Sequence, residues 1–68
     1  MIFGEKIKEL RKLKGLSQKE FAKLAGLSQS YISELENGVK INPSLSVIKK
    51  ISKVLKVDIK VFIEDVEQ

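Results

Sequence analysis

Apolar residues recur along this chain at intervals of three and four, in groups separated by glycine, serine, proline and asparagine. That spacing is the period of amphipathic helices. Phe3, Ile7 and Leu10 stand at i, i+4 and i+7 and predict a first helix over about residues 3–14, ended by Gly15, with Leu16 turning back into the core. Ser17 directly precedes a second helical run and Glu20 follows three residues later, the signature of a capping box. This second helix, residues 18–25, carries Phe21, Ala22 and Ala25 on one side and stops at Gly26, a residue free to take the left-handed conformation. Ser28 caps a third helix, 29 to about 37, with Ile32 and Leu35 as its apolar positions and Asn37-Gly38 closing it.

Residues 39–43 read as a loop in which Pro43 keeps Asn42 extended. Ser44 caps a fourth helix, 45–55, with Leu45, Ile48, Ile51 and Leu55 inward and Lys49, Lys50 and Lys53 outward. Asp58 caps a short fifth, 59 to about 65, from which Phe62 and Ile63 close the core. The expectation is an all-α fold: a compact five-helix unit, residues 1–68, built as a single domain around one core. A chain this short buries only about 60% of the surface its unfolded form exposes, so its stability margin is thin.

The second and third helices have about two turns each and only Gly-Leu-Ser between them, too little to pack antiparallel. They must cross steeply, which is a helix-turn-helix, with the later helix presented outward as if for a DNA major groove. On it, Gln29, Ser30, Ser33 and Asn37 fall opposite Ile32, Leu35 and Glu36. A row of short amide and hydroxyl groups suits base edges, since Gln bonds adenine at two points and Ser accepts any base. The plainer alternative is that these are ordinary solvated side chains.

Composition narrows the chemistry. Without cysteine or histidine there is no disulfide, thiolate or imidazole metal site and no histidine acid–base catalysis. The remaining Glu, Asp, Ser and Tyr form no nucleophile–base constellation, and no glycine loop cradles phosphate, so neither an enzyme, a cofactor nor a small-molecule ligand is expected. No apolar run spans a membrane and the N-terminus lacks a secretory signal, which makes a cytoplasmic location the expectation. The net charge of +4 divides unevenly: +3 over residues 1–14, −1 over 15–38 and +2 over 39–68. Phosphate attraction must therefore come from helix N-termini and flanking lysines rather than from the reading unit itself.

The residues Ser17-Gln18, Phe21-Ala22, Ala25-Gly26, Ile32-Ser33 and Glu36-Asn37-Gly38 together resemble the Cro/C1-type helix-turn-helix family, also called the xenobiotic response element (XRE) family. The likeness runs from Ile7 and Leu10-Arg11 through Asn42-Pro43-Ser44-Leu45 to Leu55, Val57 and Phe62-Ile63. It implies a lambda-repressor-like fold with a recognition unit at 17–38, and a transcription regulator, commonly a repressor, bound to double-stranded DNA. By resemblance, Gln18 and Asn37 would bond phosphates on either side of the groove, with Tyr31 and Lys40 adding backbone contacts and Ser17 and Ser28 placed at helix N-termini. Gln29, Ser30 and Ser33 would reach bases. Glu34 departs from relatives, which often carry a neutral or basic residue there; it either accepts from a cytosine amino group or repels phosphate. An arginine at position 11 implies an ion pair with Glu36 at the edge of the core.

Some apolar residues exceed what this core needs. Leu13 and Leu24 read as singly exposed leucines. Val47, Val54, Ile59 and Val61 form a possible seam for a weak homodimer on an inverted-repeat operator, although Val54 and Ile59 could equally finish the core. The competing function class is a protein-interaction module, antitoxin-like or cofactor-like, that keeps this fold without reading DNA.

Overall fold

The computed structural model describes residues 2–39 and 43–62. Four helices, α1 (Ile2–Leu13), α2 (Gln18–Ala25), α3 (Gln29–Glu36) and α4 (Leu45–Leu55), are followed by a helical stretch at residues 60–62, here α5. Among the described residues there is no strand. The helix boundaries lie within a residue of those expected from periodicity. The remainder of the expected fifth helix, with Ile63, lies outside the described residues, as do Ile41 and Asn42.

Each of α2, α3 and α4 starts the same way. The hydroxyl oxygens of Ser17, Ser28 and Ser44 accept from the backbone N–H of Glu20, Tyr31 and Val47. Each such cap satisfies a donor that the helix leaves open and contributes about 1 kcal/mol. At α2 the box is complete, because Ser17 N–H also donates to Glu20 Oε1 at 2.9 Å. Asp58 opens the last turn, its Oδ1 accepting from Lys60 N–H at 2.9 Å.

All the helices close on one core of Phe3, Ile7, Phe21, Ala22, Ile32, Leu35, Ile48, Ile51, Leu55 and Phe62. Its largest members are fully buried, each contributing about 1.5–3 kcal/mol relative to exposure. Phe3 and Phe62 meet edge to face, centroids 5.5 Å apart at 81°, and so join the first helix to the last. Leu16 packs on this core as expected, and Leu13 and Leu24 are 75% and 63% exposed.

Leu45 corrects the expectation that it faces inward: it is 54% exposed. It is the first residue of α4, and helix side chains lean toward the N-terminus, so Leu45 projects beyond the packed face that Ile48, Ile51 and Leu55 form. Ser52 takes a buried place on that face instead, its hydroxyl donating to Lys49 O at 3.1 Å. Gly4 is a second feature that periodicity alone does not reveal. A Cβ there would fall on the Leu35 carbonyl oxygen and within 3.0 Å of that of Glu36, so α1 and α3 touch backbone to backbone.

Candidate nucleic-acid interface

The turn between α2 and α3 is closed by its own backbone. Gly26 sits at φ 69°, and Leu27 N–H reaches back to Ala22 O at 2.9 Å, a glycine-ended helix stop that lets the chain turn sharply. Leu27 packs on the core and pins the corner. From Ser28 the chain enters α3, whose Ile32, Leu35 and Glu36 are buried. Those three inward anchors fix the rotation of the helix.

The opposite face is thereby set. Gln29, Ser30 and Asn37 are exposed, and Ser33 and Glu34 are half-exposed. Ser33 and Asn37, one turn apart, are joined by Asn37 Nδ2 donating to Ser33 Oγ at 3.3 Å. Tyr31 lies at the edge of this face, half-buried against the core. The result is an outward strip of amides and hydroxyls on a rigidly held two-turn helix.

Beneath the strip lies a polar cluster. Arg11 donates from Nε to Glu36 Oε2 at 2.6 Å and from Nη2 to Glu36 Oε1 at 3.0 Å, a forked pair, while its Nη1 donates to Leu16 O at 2.7 Å. Arg11 and Glu36 are each only 7% exposed, so the pair is more deeply buried than a position at the core edge implies. Burial pushes the Glu36 carboxyl up, but the hydrogen bonds from Arg11 and Gln18, with the charges of Arg11 and Lys8, hold it below the usual carboxylate range. The same hydrogen bond raises the Arg11 guanidinium.

Gln18 is the third member. Its Nε2 donates to Glu36 Oε1 at 3.1 Å, so this amide, read from the sequence as facing phosphate, is turned toward the cluster and is half-buried. No spacing rule in the sequence announces that bond. Ser17 and Ser28 likewise have their hydroxyl oxygens occupied as caps; the Ser28 hydroxyl proton is left to donate elsewhere, while that of Ser17 faces Glu20. Glu20 shares the α2 N-terminus and is held below the usual range by the Ser17 backbone N–H and hydroxyl. Lys40 lies outside the described residues. Val47, Val54, Ile59 and Val61 are all half-buried against the core, so only part of each side chain faces outward.

Among the described residues no group of acidic side chains has the arrangement of a metal site, and no helix is long and apolar enough to cross a membrane. The chain matches the helix-turn-helix family over residues 7–62 and belongs to that family, in its XRE-type branch. It is 38% identical over 64 residues to the HTH-type transcriptional regulator SinR of Bacillus subtilis (strain 168), covering 94% of this chain and 58% of that one. It thus spans less than two thirds of that relative's length. Among solved structures it is similar to SinR, the master regulator for biofilm formation, in complex with DNA, with a TM-score of 0.86 and 39% identity over 90% of this chain and 97% of that one. It is similar also to the restriction-modification controller protein C.AhdI from Aeromonas hydrophila, with a TM-score of 0.81 and 41% identity over 85% and 86%.

Proposed function

We propose that residues 1–68 act as one sequence-specific, double-stranded DNA-binding domain of a transcription regulator, a repressor working in the cytoplasm by binding rather than by catalysis. The observation that carries this reading is the outward strip on α3: Gln29, Ser30 and Ser33 stand clear of a core that fixes the helix by Ile32, Leu35 and Glu36. The likeness to a SinR structure determined with DNA supports it. Within the recognition unit 17–38, Gln29, Ser30 and Ser33 read base edges in the major groove, and Glu34 either accepts from a cytosine amino group or excludes wrong sites. Ser17, Gln18, Ser28, Tyr31, Asn37 and Lys40 hold the flanking phosphates, aided by the free N–H groups and positive dipole ends of α2 and α3. Gln18 can serve both partners, because one amide hydrogen on Glu36 leaves its other hydrogen for a phosphate oxygen.

Three base-reading side chains on a domain of charge +4 give little affinity alone, since each correct base pair adds about 1–3 kcal/mol. Two copies on an inverted repeat double the sequence read and place the two recognition helices about 34 Å apart on one face of the duplex. The outward parts of Val47, Val54, Ile59 and Val61 supply the seam of this weak homodimer.

Salt titration of duplex binding, followed by fluorescence anisotropy, tests the reading. Affinity should fall linearly on a double-logarithmic plot, by about 0.9 per phosphate neutralised. Duplex binding that ignores salt, or its absence at low salt, would instead favour a protein-interaction module.

A further inference from the structure

The last turns of α2 and α4 leave between them an open groove of about 500 Å³, lined by Leu24, Ala25, Lys50, Lys53, Val54 and Lys56. None of these residues belongs to the outward strip of α3 or to the Arg11–Glu36–Gln18 cluster, and of the proposed homodimer seam only Val54 reaches the groove. The groove has two chemistries. Its floor is apolar, with Ala25 buried, Val54 half-buried and Leu24 63% exposed, and its rim is three exposed lysines with no carboxylate among them.

Cations at helix C-termini complement the helix dipole, which accounts for Lys53 in the last turn of α4 and for Lys56 at its end. It accounts neither for Lys50, a turn earlier, nor for an uncovered leucine beside them. Lys56 moreover holds φ at 56°, in a left-handed cap position that ordinarily favours glycine or asparagine, and so places a cation at the rim.

We propose that this groove docks an acidic amphipathic helix of a protein partner, with apolar side chains on Leu24, Ala25 and Val54 and carboxylates on Lys50, Lys53 and Lys56. A groove between two helix ends receives the ridge of a third helix, the mode in which amphipathic segments are commonly bound. Charge complementarity selects the occupant. A bare polyanion such as nucleic acid would leave the leucine floor uncovered, and a purely apolar partner would strand the lysines. A second copy using the same face would set three lysines against three. A bilayer is flat where this surface is concave. Leu24 lies seven residues from Ser17 along α2, about 11 Å of helix axis, so a partner here would leave the N-terminal end of α2 open. The proposal does not rest on the DNA reading.

The test is an NMR titration of the isotope-labelled chain with a synthetic peptide carrying leucines at i, i+3, i+4 and i+7 and glutamates between them, beside its scrambled isomer. The amphipathic peptide should shift the amide resonances of Leu24, Ala25, Lys53, Val54 and Lys56 and bind about tenfold tighter than the isomer. Lys50→Glu and Leu24→Ser, both at exposed positions, should each weaken it about tenfold while the thermal midpoint stays near that of the parent. Equal binding of the two peptides, or shifts confined to other surfaces, would overturn the proposal. So would displacement of the peptide from these resonances by phosphatidylserine vesicles or duplex DNA, or shifts of Leu24, Ala25, Lys53 and Lys56 arising on concentration without peptide. Those results would give the groove to lipid, nucleic acid or a second copy.

Discussion

The amide of Gln18, the first residue of α2, donates to the carboxylate of Glu36, the last residue of α3, across 3.1 Å. Arg11 of α1 grips the same carboxylate with two hydrogen bonds, at 2.6 and 3.0 Å. One buried acid therefore ties together the start of α2 and the end of α3, the two elements whose relative angle defines a helix-turn-helix. The same residue that aligns the proposed reading helix also orients the side chain proposed to hold a flanking phosphate.

Removing either member of the buried pair should be costly. Arg11→Ala leaves a buried carboxylate without its cation, and Glu36→Ala leaves a buried guanidinium, each losing about 3–5 kcal/mol. The double variant should lose less than the two losses combined, because neither charge is then stranded. Chemical denaturation of the four proteins measures this, and simple additivity would mean that the side chains act independently.

Acid should weaken the fold through the same residue. Glu36 is held below its usual range in the folded state, whereas in the unfolded chain it titrates in the ordinary range of an exposed glutamate. Its contribution is therefore complete above that range and is lost as the pH falls below it toward the folded pKa. Glu20, lowered by Ser17, acts in the same direction. Glu36→Gln should be less stable than the parent at neutral pH and show a shallower loss between about pH 5 and 3. A slope identical to the parent's in urea melts across that range would contradict the linkage.

Gly4→Ala separates intrinsic helix propensity from packing. In an open helix alanine is better than glycine by about 1 kcal/mol. At position 4 the added methyl would meet the carbonyls of Leu35 and Glu36, so a net loss of about 1–3 kcal/mol is expected, seen as a lower denaturation midpoint. A gain in stability would show that α1 can shift away from α3 without penalty.

Much of this fold is legible in the sequence because its signals are local. Ser17, Ser28 and Ser44 mark helix starts, Gly15 and Gly26 mark helix ends, and the three- and four-residue spacing marks the buried faces. What was not legible depends on contacts between distant segments. Gly4 lies inside a helical pattern with no local sign that another backbone passes beside it. The turn of Gln18 toward Glu36 joins residues eighteen apart through a bond that periodicity does not encode. Leu45 failed for a geometric reason: the spacing puts it on the right stripe, but at the first turn of α4 the stripe has run past its neighbours. The outward strip on α3 was readable because Ile32 and Leu35 fix which side of that helix remains.

Gln29→Ala should weaken binding to the best duplex site by about 1–3 kcal/mol and relax the preference at one base pair, leaving the fold unchanged because Gln29 is exposed. Anisotropy measurements on a set of duplexes varied one base pair at a time would reveal it. An equal loss on every duplex would place Gln29 on the phosphates instead.

Selection of binding sites from a pool of random duplex DNA tests the proposed function most directly. Enrichment of one motif with two-fold symmetry is expected, its half-sites centred about one helical turn apart. Repeating the selection with Gln29→Ala should blur the same position in each half-site. Failure of the parent chain to enrich any motif, at a salt concentration where it still binds duplex DNA, would contradict sequence-specific reading by α3.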